Sequence, residues 1–193
     1  VMNILNFAHA TLWLVGAYVC YTFWYLMQDY AVGLWLSIPL AALVLAAIGW
    51  VIEVVLIRRV YKRELPEQLL LTYAMVLILG DLIKIIWGVE DKLIERPPLV
   101  EGPVFIFGMP FDSYFIFVIL VGVAVAAGLW WFLQKTRYGH IVRAAVFSRE
   151  MVSALGIPIP RIYSGVFALG IFIAGLAGAV QAPIGSITLG MDM

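Results

Sequence analysis

Apolar residues dominate five long stretches of this chain, and short polar segments separate them. A helix that crosses a bilayer needs about 20 mostly apolar residues, set by a hydrocarbon core about 30 Å thick. Stretches near residues 8–28, 32–57, 69–87, 114–133 and 162–184 meet that length. The pattern predicts an all-α, polytopic transmembrane helix bundle of about five spans. Pro39 falls in the first third of the second stretch, where a kink is tolerated because neighbouring helices satisfy the freed backbone groups.

Composition points the same way. Of 193 residues, 64% are hydrophobic and only 12% charged, against about 25% charged in a soluble domain. The mean hydropathy is +1.04. Net charge is zero, which argues against a nucleic-acid partner, since that needs a basic face. Cys20 is the sole cysteine, so neither a disulfide framework nor a thiolate metal site is available, and it reads as small apolar filler. No basic stretch precedes the first apolar run, so no signal peptide is visible. The pattern opens at Val1 and stops at Met193 without a polar tail. A single transmembrane domain over 1–193, cut at both ends, is the expectation.

Charge in the connections sets the orientation. Residues 58–68 carry Arg58, Arg59, Lys62 and Arg63; residues 134–161 carry Lys135, Arg137, Arg143, Arg149 and Arg161. The turn at 29–31 has no basic residue, and residues 88–113 hold Lys92 and Arg96 against five acids. Basic connections stay in the cytoplasm. Five alternating spans put both basic segments on that side, so charge and parity agree. The outer segment 88–113 holds four prolines and the run Val104 to Phe107 before Gly108. It reads either as a short hairpin turning at Gly108 or as an irregular proline-rich cover.

Within the spans, Gly170, Ala174, Gly178 and Ala182 fall four apart on one helix stripe, and Ala42 with Ala46 do the same. Small residues at this spacing let helix backbones approach where no hydrophobic drive exists between helices. Packing is favoured over the alternative, a groove facing a solute pathway. Ionisable groups within hydrocarbon cost about 2.5–3.5 kcal/mol each on insertion scales. Glu53 sits near enough to the cytoplasmic end of its helix to reach headgroups, while Asp81 and Lys84 are three apart and can pair. The alternative for all three is a polar lining on a pathway. Asn3, Asn6 and His9 lead into the first span, either to cap and glue helices or to line a polar cavity.

Catalytic patterns are missing. His9 and His140 are the only histidines, and a catalytic zinc takes three protein ligands. Neither H-E-x-x-H, nor G-x-S-x-G, nor the phosphate-cradling G-x-x-x-x-G-K-[ST] occurs. The chain is therefore expected not to be an enzyme, to hold no metal or cofactor, and not to hydrolyse ATP by itself. The segment 134–161 is more informative. Ser148 can cap a short helix whose first turn carries Glu150, Gly156 stops it, and Pro158 and Pro160 prevent its continuation. Met151, Val152, Ala154 and Leu155 give it an apolar face. The result is a short amphipathic helix between two spans, lying against lipid or against a partner protein.

These features resemble the permease family of branched-chain amino-acid ABC importers. The resemblance rests on Asn6-Phe7-Ala8-His9 followed by Gly16-Ala17-Tyr18, on Tyr138-Gly139 after Arg137, on Arg143-Ala144 with Gly156-Ile157, and on Gly170 followed by Gly175-Leu176-Ala177-Gly178-Ala179. It covers nearly the whole chain, and its most specific part is segment 134–161. Ala10 stands where the family has glycine, and Ser148 where asparagine or aspartate is common.

The resemblance implies a multi-pass protein of the bacterial cytoplasmic (inner) membrane. It would pair with a second permease subunit, two cytoplasmic ATPase subunits and an extracytoplasmic solute-binding protein. The helix within 143–157 would be the coupling helix, with Arg143, Ala144, Ser148, Glu150, Ala154 and Gly156 in the ATPase-coupling loop. Asn6, His9, Asp81 and Lys84 are the candidates for the translocation pathway. The substrate class would be branched-chain amino acids, with urea, short amides and aromatic acids among relatives. An ion-coupled secondary transporter using Asp81, Lys84 and Glu53 is the competing reading, although the paired Gly/Pro interruptions typical of such transporters are not visible.

Overall fold

The computed structural model describes residues 8–30, 32–60, 63–96, 102–106 and 109–189. The helices are α1 (Ala8–Leu26), α2 (Gly33–Ile52), α3 (Arg58–Val60), α4 (Leu65–Trp87), α5 (Ser113–Lys135), α6 (Arg137–Phe147), α7 (Arg149–Ala154) and α8 (Ile159–Gln181). A π-helical turn, Glu53–Ile57, joins α2 to α3 without a break, so Gly33–Val60 forms one span. That span, α4, α5 and the run Ile159–Ile184 are four helices long and apolar enough to cross a membrane. The molecule is an all-α polytopic membrane bundle.

The fifth expected span, α1, is the most enclosed helix rather than the most apolar. It packs against α2, α8 and α4, and buries nine of its residues, including Leu12, Tyr18 and Cys20. Its first turn lies against the middle of α8, because His9 stands beside Gly170 and its ring lies 6.4 Å from that of Phe167. The described part of α1 therefore starts at about half the depth of the bundle.

Helix backbones meet where glycine removes the Cβ. A Cβ on Gly16 would sit 2.7 Å from the Cα of Gly175, and one on Gly178 would sit 2.0 Å from the carbonyl oxygen of Trp13. The α2–α8 contact closes the same way, since a Cβ on Gly49 would lie 2.4 Å from Ile171 Cδ1. Gly178 and Ala182 of the expected stripe are buried in packing, while Ala174 and Ala46 are only half-buried. Gly178 makes the closest of these approaches on that stripe, and Gly16, Gly49 and Gly175 make further ones off it.

The two ends of the bundle are distinct. Arg58 Nη2 donates to Ser164 Oγ at 2.7 Å, which brings the basic segments 58–68 and 134–161 to one end. At the other end the outer segment folds onto the close of α8: Lys92 bridges Ile187, and Arg96 donates to the carbonyl of Pro183 at 3.2 Å while pairing with Asp112. That segment contains the hairpin β1 (Pro103–Ile106) and β2 (Met109–Asp112), antiparallel with Ile106 opposite Met109. The hairpin alternative therefore holds, with Gly108 outside the described residues.

Candidate functional site

The basic end carries two features, one buried and one exposed. The buried feature starts at Glu53, which opens the π turn and is 0% exposed. Ser164 Oγ donates to Glu53 Oε2 at 2.5 Å, and Arg58 Nη2 lies 3.4 Å from the same oxygen. Arg58, Ser164 and Glu53 thus form a polar chain between α2 and α8. This corrects the expectation that Glu53 reaches headgroups: the π turn adds a residue to the helical loop, and the carboxylate points into α8 instead. A carboxylate buried this way persists only when paired and hydrogen-bonded. Its partner Ser164 lies five residues into α8.

The exposed feature is the pair α6–α7. Thr136 caps α6, accepting from Gly139 N at 3.1 Å. Gly139 is required there, since a Cβ would lie 2.3 Å from the carbonyl oxygen of Phe132. Gly139, Val142 and Ala145, spaced three apart, form the buried face of α6. Arg143 braces the helix back to α5 by donating to Gln134 Oε1 at 2.7 Å. The carbonyl of Ala144 accepts from Ser148 N at 3.1 Å, and Ser148 in turn caps α7, accepting from Met151 N at 3.3 Å. Gly156 closes α7 at φ +77°, a left-handed conformation that glycine adopts without steric cost.

Segment 134–161 therefore holds a full helix, α6, that the sequence reading did not separate out; the Thr136 cap was its available signal. The expected apolar face also divides. Val152 is buried, whereas Met151, Ala154 and Leu155 are exposed on one side of α7, and Phe147, 92% exposed, stands beside them in sequence. Glu150 is exposed in the first turn. Arg143, Ala144, Ser148, Glu150, Ala154 and Gly156 thus fall on one continuous unit.

The other candidates are not gathered together. His9 sits at mid-depth against α8, and Asn6 lies outside the described residues. Asp81 and Lys84 form a 3.0 Å ion pair on the outward face of α4, with Asp81 70% exposed. They satisfy each other there rather than facing the α1–α2–α8 core. Asp81→Leu or Lys84→Leu alone is expected to lower the yield of folded protein, since each strands a charge costing about 2.5–3.5 kcal/mol in hydrocarbon. The double leucine variant is expected to fold and transport as the parent does. A double variant that folds yet no longer transports would make the pair part of the pathway.

Among the described residues no group of three His, Cys, Asp or Glu side chains could hold a metal ion. Four helices long and apolar enough to cross a membrane, joined at one end by a buried polar chain and carrying a capped exposed unit there, make this a polytopic membrane protein. The pattern of the family described as "Branched-chain amino acid transport system / permease component" matches residues 1–192, and the chain belongs to that family. It is similar to the high-affinity branched-chain amino acid transport system permease protein LivH of Salmonella typhimurium, 24% identical over 93% of this chain and 61% of that protein. The LivH of Escherichia coli strain K12 is 25% identical over the same shares. A probable LivH permease of Methanocaldococcus jannaschii is 26% identical over 92% of this chain and 56% of its own length. The chain thus spans about three fifths of the curated relatives it matches. No solved structure matches it.

Proposed function

We propose that this chain is a membrane-spanning permease subunit of an ATP-binding cassette importer in the bacterial cytoplasmic membrane, carrying branched-chain amino acids or similar small solutes. A second permease subunit, two cytoplasmic ATPase subunits and an extracytoplasmic solute-binding protein complete the assembly. The observation that carries this reading is the exposed α6–α7 unit. It is capped at both helix starts, closed by Gly156, placed at the basic end, and it presents Phe147, Met151, Ala154 and Leu155 outward.

An apolar knob on a basic, cytoplasm-facing segment suits a cleft in a partner protein. Its attachment is short: Thr136 and Arg143 tie α6 to α5, and only Leu155 to Pro158 separate α7 from the first turn of α8. Closure of paired ATPases on the knob would then tilt α8, and with α8 the Ser164–Glu53 contact to α2. His9, at mid-depth where α1 meets α8, is the described residue proposed to line the solute pathway.

The test is uptake. The full-length protein, co-produced with its ATPases, second permease and binding protein in cells lacking branched-chain transport, is expected to import labelled leucine. Ala154→Arg is expected to fold, because Ala154 is exposed. It should place an unpaired charge in the contact at a cost of about 2–5 kcal/mol of association, so ATPase co-purification and uptake should fall together. Uptake that survives removal of the ATPase would replace this reading with an ion-coupled transporter.

A further inference from the structure

Along the seam between α5 and α8 the two helices stand apart. Of its 23 residues α5 buries only Tyr114, whose hydroxyl donates to the carbonyl of Val180 at 2.7 Å near the outer end. At the basic end α6 turns back and closes the seam from below. The space left there is a cavity of about 580 Å³, walled by Phe132, Tyr138, Val142, Gly165 and Leu169 among others, with Arg161 as its only charged lining residue. Phe132 and Leu169 also wall a second cavity, of about 360 Å³, that carries the space further along the same seam.

We propose that this groove holds one anionic phospholipid of the cytoplasmic leaflet, its phosphate on Arg161 and an acyl chain along Gly165 to Leu169. Among the described residues no side chain hydrogen-bonds or pairs with the Arg161 guanidinium, so its five donors are available to a phosphate. The charge around it is complementary: segment 134–161 carries five Lys and Arg residues against Glu150 alone, and basic pockets between spans on the cytoplasmic side recognise such headgroups. The dimensions also fit. Leu169 lies eight residues beyond Arg161, about 12 Å along the helix axis, which is the reach of a chain descending towards the middle of a hydrocarbon core about 30 Å thick. The walls from α6 and from Ile157–Pro158 mean that the bound lipid braces the α6–α7 unit. The binding site does not depend on the importer assignment.

Native mass spectrometry of the full-length protein, titrated with phosphatidylglycerol or phosphatidylcholine of matched chains, tests it. One phosphatidylglycerol is expected to bind in preference to phosphatidylcholine, and excess inorganic phosphate should leave it bound. Arg161→Gln should cut that preference about fivefold, the effect of one surface cation, whereas Arg59→Gln, outside the groove, should not. Gly165→Leu should weaken retention of both lipids by filling the groove; a Cβ at Gly165 meets nothing within 4 Å, so the variant should fold. Equal binding of the two lipids, or unchanged phosphatidylglycerol binding in Arg161→Gln and Gly165→Leu alike, would overturn the proposal and leave the groove to another protein segment. Displacement by inorganic phosphate would overturn it in favour of a free-anion site.

Discussion

Gly178→Ala is expected to separate α1 from α8 and to lower the thermal stability of the purified protein sharply. The added methyl would stand 2.0 Å from the Trp13 carbonyl oxygen and 3.1 Å from Ala17 N. Both are backbone atoms, so no rotamer change relieves the clash and the helix axes must shift. Overpacking of this kind costs about 1–3 kcal/mol, and a backbone-to-backbone clash belongs at the upper end, at about 3 kcal/mol. Gly16→Ala, 2.7 Å from Gly175 Cα, should behave similarly. Gly122→Ala and Gly128→Ala on α5 meet nothing within 4 Å and should change little. Melting of the four variants in detergent separates the outcomes: equal midpoints would mean that α1 and α8 do not pack as described.

The second large effect concerns the buried carboxylate. Arg58→Met removes the cation beside Glu53 and the donor to Ser164 Oγ. Breaking a buried pair from one side costs about 3–5 kcal/mol, because the remaining charge is stranded. The Arg58 side chain is partly exposed and Ser164 still donates to Glu53, so about 3 kcal/mol is expected. Glu53→Gln in the same background should recover most of it, since a neutral amide keeps a hydrogen bond to Ser164 without the charge. A double-mutant cycle on thermal midpoints reads this coupling. Additive losses would show that Arg58 and Glu53 act independently.

These two predictions rest on contacts of different legibility. The spans were readable because bilayer thickness imposes a run length that composition alone reveals. The Ser148 cap and the Gly156 stop were readable because both are local, each set by the hydrogen bonds of the nearest turn. The link from Ser164 to Glu53 joins residues 111 apart. No local pattern encodes it, although a lone carboxylate in an apolar run signalled that some partner existed. The division of the α7 face had a similar cause: six residues make under two turns, so the side facing α8 depends on where α6 and α8 hold the ends. Glycine spacing announced close packing of α8 but not which glycines meet. Gly16–Gly175 and Gly49–Ile171 follow from crossing geometry between helices, which spacing within one helix does not contain.

If α6–α7 is a cytoplasmic docking unit for a separate ATPase, a cysteine at Met151 should report it by its reactivity. That side chain is exposed, and Cys20, which is buried, is replaced by alanine in the same background. A membrane-impermeant maleimide should label Met151→Cys in inside-out vesicles and not in intact cells, and labelling should slow when the ATPase subunits are present. Labelling from outside the cell, or an unchanged rate with the ATPases bound, would mean that α6–α7 is not an ATPase docking unit on the cytoplasmic side.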